Sequence, residues 1–323
     1  MSASALPLVI QALFPAESLN VGYQFFRKGL KPDPARADYQ AVNDWWCGQL
    51  ALLAYLDDEA IKRLLAGAGM RLSSALVRDG DLRAIVAGLG DSVYVAVRGS
   101  VFPAPFSQDV VAYIDAMRDW SLDVQYSLVP LEEPLCLHAQ GRVHRGFQSG
   151  LRRLHPLVQA ELDQFPNARK VVFTGHSLGG ALAILLAMTL RLPPGATASI
   201  VSFGTPRLGD DRLIKSIQPE HRCYVHGEDR VADLPPKPWS FITWLAAGYD
   251  DYPRRIALSH INKNDTSLKN AEALIGPALK PPSPTDAAAR PLMPPDNFLV
   301  DLAVGRFIDH AMVLYAEQCG RGI

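Results

Sequence analysis

Gly175-His176-Ser177-Leu178-Gly179 stands between Val171-Val172-Phe173-Thr174, a β-branched and aromatic run, and the apolar helix-forming run Ala181 to Met188. Strand, Gly-x-Ser-x-Gly and helix in that order describe a turn so tight that only small residues fit two before and two after the serine. The serine in such a turn is held in a strained backbone state with its hydroxyl pushed clear of the sheet edge. The helix that follows points its N-terminus at the reacting carbonyl, where negative charge develops. Ser177 is therefore read as a nucleophile, and Leu178 as the first residue after it.

A serine hydroxyl needs a base to take its proton, commonly a histidine oriented by a carboxylate, and on this type of turn the chain order is serine, acid, histidine. The acid belongs in a loop at the C-terminal end of a strand. The strand-like run Arg222 to His226 is followed by Gly227-Glu228-Asp229-Arg230-Val231-Ala232-Asp233, which makes Asp229 the candidate and Glu228 and Asp233 its rivals. Of the downstream histidines, His221 and His226 flank or lie in the strand and read as structural. His260, in a loop-rich stretch, and His310, at the start of the last helix, are the candidate bases, with His310 better placed by chain order.

The elements that must position these groups alternate. Residues 38 to 67 carry helical periodicity, with a break at Asp57-Asp58 between two helices. Leu82 to Ala87 and Ser92 to Val97 read as strands joined across Gly88-Leu89-Gly90-Asp91. Residues 149 to 165 read as a helix leading to the Val171 strand. Further strands fall at Ala198 to Phe203 and Arg222 to His226, and a final helix at about 308 to 318. Strands alternating with helices imply a mostly parallel central sheet with helices on both faces. Residues 279 to 295, with six prolines, read as an irregular loop and not as an interdomain linker, so residues 1–323 are expected to form one domain.

Composition narrows the class of function. The 323 residues carry a net charge of −1, which leaves no basic excess for nucleic acid or anionic headgroups. Cys47, Cys136, Cys223 and Cys319 form no Cys-x-x-Cys pair, so neither a zinc nor a redox site is expected. Cys47 and Cys319 sit in apolar helical surroundings as buried thiols. No run of 18 apolar residues exists, and the N-terminal stretch lacks a positive n-region, so the expectation is a cytoplasmic protein without a transmembrane segment, with signal-independent export left open.

Several ordered blocks resemble the class 3 lipases, the group that includes the fungal lipases. Val95-Ala96-Val97-Arg98-Gly99-Ser100 is similar to the family's strand ending in Arg-Gly-Ser/Thr, and Asp119-Trp120-Ser121-Leu122-Asp123 to its Asp/Asn-Trp-x-x-Asp block. Val143-His144-Arg145-Gly146-Phe147 resembles its Val-His-x-Gly-Phe strand end, and Thr174 to Ala181 its elbow. Phe203-Gly204-Thr205-Pro206-Arg207-Leu208-Gly209, Asp229 to Pro236 and His310 to Tyr315 resemble its later turn, acid and histidine blocks. The resemblance covers roughly residues 40 to 319 and implies an α/β-hydrolase fold with a helical lid insertion. It implies Ser177 as nucleophile, Asp229 as orienting acid, His310 as base, and the backbone N–H groups of Ser100 and Leu178 as the oxyanion hole, with structural roles for Asp119, Trp120, His144 and Arg145.

The expected activity is a serine carboxylester hydrolase on lipid esters, with phospholipase A1 or small-ester esterase as the alternative and a non-catalytic lipid-binding protein as the distant one. No metal or organic cofactor is implied, and the expected partners are a lipid or ester substrate and, transiently, a lipid–water interface. The chain departs from the fungal pattern between Val101 and Asp119, which is longer. Val110, Tyr113, Ile114 and Met117 recur there at helical spacing and make a candidate lid, or a helix packed permanently on the core. Trp239, Phe241, Trp244, Leu245 and Tyr249 either line the pocket or belong to the core.

Overall fold

Strands buried along nearly their whole length suit a sheet covered on both faces, and two of them, at residues 92–97 and 170–176, pair in parallel in the middle of the sheet. The structure is a computed structural model and describes residues 25–26, 29–36, 38, 40–100, 127–132, 140–227, 229, 231–235, 248–258, 315–316 and 319. Strands β1 (Arg71–Leu72), β2 (Val77–Asp79), β3 (Leu82–Leu89), β4 (Ser92–Val97), β7 (Lys170–His176), β8 (Thr197–Phe203), β9 (Glu220–His226) and β10 (Arg255–Leu258) build an eight-stranded sheet. Its order is β1-β3-β4-β7-β8-β9-β10, with β2 beside β3. From β4 to β10 every pairing is parallel, and β3 runs antiparallel to β4. Strands β5 (Leu128–Pro130) and β6 (Arg142–His144) form a separate antiparallel pair.

Side-chain alternation divides the core into two layers. Along β4, Val93, Val95 and Val97 enter one apolar cluster and Tyr94 and Ala96 the other. Helices α3 (Arg145–Leu162) and α4 (Leu178–Thr189) cover the first face, and α1 (Gln40–Leu53) the second. Helix α4 is apolar on every side because it is enclosed on every side: each of its residues except Leu178 is buried.

Local signals set several boundaries. Asp57 caps α2 (Asp58–Gly67), its side chain accepting from Ala60 N–H at 2.8 Å, and so ends the preceding helix where the sequence reading places the break. The turn between β3 and β4 is tighter than expected: Leu89 still pairs with Ser92, leaving Gly90-Asp91 as a two-residue turn with Gly90 at φ 61°. The helix expected from residue 149 starts at Arg145, because His144 Nδ1 accepts from Gly146 N–H and caps it. Strand β10 falls in a region without sequence signal and pairs with the edge of β9. Residues 315, 316 and 319 are helical, the described part of the final helix; the candidate lid, including Val110, Tyr113, Ile114 and Met117, and the proline-rich loop lie outside the described residues.

A buried ionic cluster ties α1 to β9. Arg222 donates to both oxygens of Asp44 at 2.7–3.0 Å and to Glu220 at 2.7 Å, and Tyr224 O–H donates to Asp44 at 2.6 Å. Burial works against the guanidinium charge, but the hydrogen bonds and charge of Asp44 outweigh it and raise the Arg222 pKa above its usual value. Removing one partner of such a pair leaves the other buried and uncompensated. Asp44→Ala is expected to lower unfolding stability by about 3–5 kcal/mol in urea titrations, whereas a loss below ~1 kcal/mol would show that solvent reaches Arg222.

Candidate active site

Strand β7 ends at His176 and α4 begins at Leu178, so a single residue makes the turn between them. That residue, Ser177, adopts φ 57° and ψ −128°, a conformation L-residues avoid and one that costs on the order of 1–3 kcal/mol. Its backbone N–H is spent on the carbonyl of Phe203 at 3.0 Å, and its side chain makes no capping hydrogen bond, so the hydroxyl is not consumed by the helix it precedes. The glycines around it are required by contact. A methyl group on Gly175 would lie 2.4 Å from the Gly179 carbonyl oxygen, and one on Gly180 would lie 2.1 Å from Thr205 Oγ1.

The end of β4 packs directly on this elbow. A methyl group on Gly99 would sit 3.3 Å from Ser177 Cβ, 2.6 Å from the His176 carbonyl oxygen and 2.1 Å from the Tyr55 hydroxyl. One on Gly179 would meet the Val97 carbonyl oxygen at 2.2 Å. The backbone that leads into Ser100 and the first turn of α4 are therefore in mutual contact. Leu178 opens α4, where a helix leaves its first N–H groups without intrahelical acceptors. Tyr55, which the sequence reading did not single out, shares a 2.9 Å hydrogen bond with His176 Nδ1 and braces the elbow from the α1 side.

Two strands away, and at the same C-terminal edge of the sheet, the loop after β9 carries Asp229. Asp229 is buried, with 2% of its surface exposed. Oδ1 accepts from Val231 N–H at 2.9 Å and Oδ2 from the Tyr315 hydroxyl at 2.6 Å. Its rival Asp233 is committed elsewhere: its carboxylate takes Arg255 at 2.9 Å and Arg207 at 3.4 Å, a cluster that also holds Asp251. Glu228, His260 and His310 lie outside the described residues.

The strand histidines have structural surroundings. His221 is hydrogen-bonded to Ser202 Oγ at 2.9 Å and stands edge-on to Tyr252; burial, reinforced by the charge of Arg222, pushes its pKa down to about 3. His226 is buried and packs on the Tyr315 ring. His144 stacks on Phe147, and burial pushes its pKa down to about 4. Arg145 donates to Ser127 Oγ at 2.8 Å. Of the aromatics expected to line a pocket or the core, Tyr249 is buried against His144, on the core side of that choice; Trp239, Phe241, Trp244 and Leu245 lie outside the described residues.

Residues 94–239, from β4 through the elbow to the loop after Asp229, match the family model "Lipase (class 3)". Over this block the chain is similar to the class 3 lipases. A lipase of Rhizopus niveus is 34% identical over 143 residues, which cover 39% of this chain and 36% of that one. The chloroplastic phospholipase A1 PLIP2 of Arabidopsis thaliana is 28% identical over 119 residues, covering 33% of this chain and 16% of that one. The chain thus spans just over a third of the Rhizopus relative. The crystal structure of a mutant form of MDLA from Penicillium cyclopium aligns with a TM-score of 0.50 and 22% identity over 73% of this chain and 86% of that one. The shared architecture, a mostly parallel sheet with helices on both faces, is the α/β-hydrolase fold of the class 3 lipases. Among the described residues, no helix is long and apolar enough to cross a membrane.

A histidine held neutral in the fold leaves a trace in acid. The unfolded chain binds a proton at His221 near pH 6.5, whereas the folded chain does not until about pH 3. Stability from this group is complete above pH 6.5 and is lost as pH falls through that window, with a slope approaching about 1.4 kcal/mol per pH unit. His221→Gln, which cannot take the proton, should show a visibly shallower decline than the parent between pH 6 and 4 in denaturant titrations; identical slopes would mean that His221 is protonated in the fold.

Proposed function

We propose that the protein is a serine carboxylester hydrolase acting on lipid esters. The observation that carries the reading is the backbone of Ser177, held at φ 57° between the end of β7 and the start of α4 with the Gly99 backbone pressed against it. Such a turn is costly to maintain and presents a hydroxyl at the point where two backbone N–H groups converge.

In this mechanism Ser177 attacks the ester carbonyl while His310 takes its proton. Asp229 holds the imidazole in the tautomer that accepts at the nitrogen facing the serine, and it stabilises the imidazolium that forms. The N–H groups of Ser100 and Leu178 bind the oxygen that becomes negative, each such donor contributing roughly 10²–10³ in rate. The alcohol leaves with the proton from His310, and water, activated by the same base, hydrolyses the acyl-enzyme. The family match and the lipase relative support lipid esters as the substrate class. The relative named a phospholipase A1 supports that activity as the second reading.

Ser177→Ala should abolish ester hydrolysis, by about 10⁴-fold or more, with an unchanged thermal melt. Retained turnover in that variant would remove the mechanism. Rates on short p-nitrophenyl esters, emulsified triglycerides and phospholipid vesicles separate the substrate readings. If residues 101–119 form a lid, triglyceride hydrolysis should jump once substrate passes its solubility limit, and a smooth saturation curve through that limit would count against the lid.

A further inference from the structure

The structure assigns Tyr315 as a positioning residue that couples Asp229 to the nucleophile elbow; this inference rests on the triad proposed above. Tyr315 is fully buried, and its hydroxyl lies between two groups on the β9 side. The backbone N–H of His226 reaches the phenol oxygen at 3.0 Å, and the phenol oxygen lies 2.6 Å from Asp229 Oδ2. Hydrogen counting fixes the direction of both bonds. The His226 amide can only donate, so the phenol oxygen accepts there and its single proton must go to the carboxylate. An oxygen that accepts one strong hydrogen bond is polarised to donate a stronger one, so the 2.6 Å contact is a charge-assisted bond in a chain that starts at the β9 backbone.

The ring carries the second half of the coupling. It lies 5.8 Å from the His176 ring, 5.9 Å from the Phe203 ring and 5.8 Å from the His226 ring, between centroids. His176 is the residue before Ser177 and is braced on its other side by the Tyr55 hydroxyl. One side chain thus touches the residue that precedes the nucleophile and the residue that would orient the base. Tyr315 also follows His310 by five positions in the sequence. Its hydroxyl fastens the chain carrying the proposed base onto the end of β9.

The electrostatic consequence has a definite sign. A phenol donating to Asp229 withdraws charge from the carboxylate and limits how far it raises the basicity of His310. Without the hydroxyl, the carboxylate charge faces the base undiminished, the His310 imidazolium is favoured, and the acid limb of kcat/KM moves to higher pH. Orientation is lost at the same time, and this falls on kcat more than on KM because the carboxylate acts when the imidazolium forms.

Tyr315→Phe tests this by removing one oxygen and keeping the ring. The expected result is a fall in kcat of roughly tenfold to a hundredfold with KM within about twofold, and an upward shift of the acid limb of about 0.5 pH unit. Tyr315→Leu, which removes the ring as well, should lose further activity and thermal stability. Site-specific 3-fluorotyrosine at position 315, a more acidic phenol of nearly the same shape, should move the limb the opposite way, and it decides the matter alone if the phenylalanine variant does not fold. An unshifted acid limb in either enzyme, or Tyr315→Phe with parental kcat, overturns the assignment. With Ser177→Ala inactive in the same assays, that failure belongs to Tyr315 alone; an active Ser177→Ala enzyme brings down the triad and this inference together.

Discussion

Everything at the C-terminal edge of the sheet depends on one close approach, the seating of the β4 end against the turn at Ser177. Four glycines make it possible, and none tolerates even a methyl group without a shift of backbone or of a buried side chain. Gly175 and Gly179 close the elbow on itself, Gly180 admits Thr205, and Gly99 lets the Arg98-Gly99-Ser100 backbone lie on His176 and Ser177. The strain at Ser177, on the order of 1–3 kcal/mol, survives because the turn is held on three sides. Its N–H is bonded to Phe203, α4 is enclosed on every face, and Tyr55 locks the preceding histidine. A side chain on a turn fixed this way is held in place before anything approaches it, which is the condition under which fixed dipoles stabilise developing charge.

The parallel sheet explains why the remaining groups gather at the same edge. Strands β4, β7, β8 and β9 all end there, so the loops that follow them deliver Ser100, Ser177, the turn at Gly204 and Asp229 to one surface. Within β9 itself, Arg222 and Tyr224 bind α1 through Asp44. The structural ion cluster is therefore built on the body of β9, and Asp229 sits in the loop beyond its end.

The sharp turn at Ser177 was easier to read in the sequence than parts of the scaffold around it. The elbow was legible because it needs small residues at fixed spacing beside a strand and a helix, and Asp229 because it follows a strand end. The commitment of Asp233 to Arg255 and Arg207, which sets it apart from Asp229, joins residues 22 and 26 positions apart and has no local signature. The start of α3 was missed because a histidine caps it, outside the usual Ser/Thr/Asp/Asn set. The Gly90-Asp91 turn was read two residues too wide because Gly88 looks like a breaker, yet its missing side chain makes room for the Phe165 ring inside a strand. Tyr55 and Tyr315 gave only the faint signal of a phenol within an apolar helical run, which must find a partner for its hydroxyl when buried.

Two buried carboxylates show how one protein assigns different work to the same group. Asp44 meets a guanidinium through three hydrogen bonds, so its charge is matched by a cation and its energy is spent on joining helix to sheet. The described donors to Asp229 are neutral, a backbone N–H and a phenol. Neutral donors fix the direction of a carboxylate without bringing a cation against it. An arginine in place of Tyr315 would hold Asp229 as firmly but would make of it a second ion pair like that of Asp44. The tyrosine fixes the direction of Asp229 through a neutral hydroxyl.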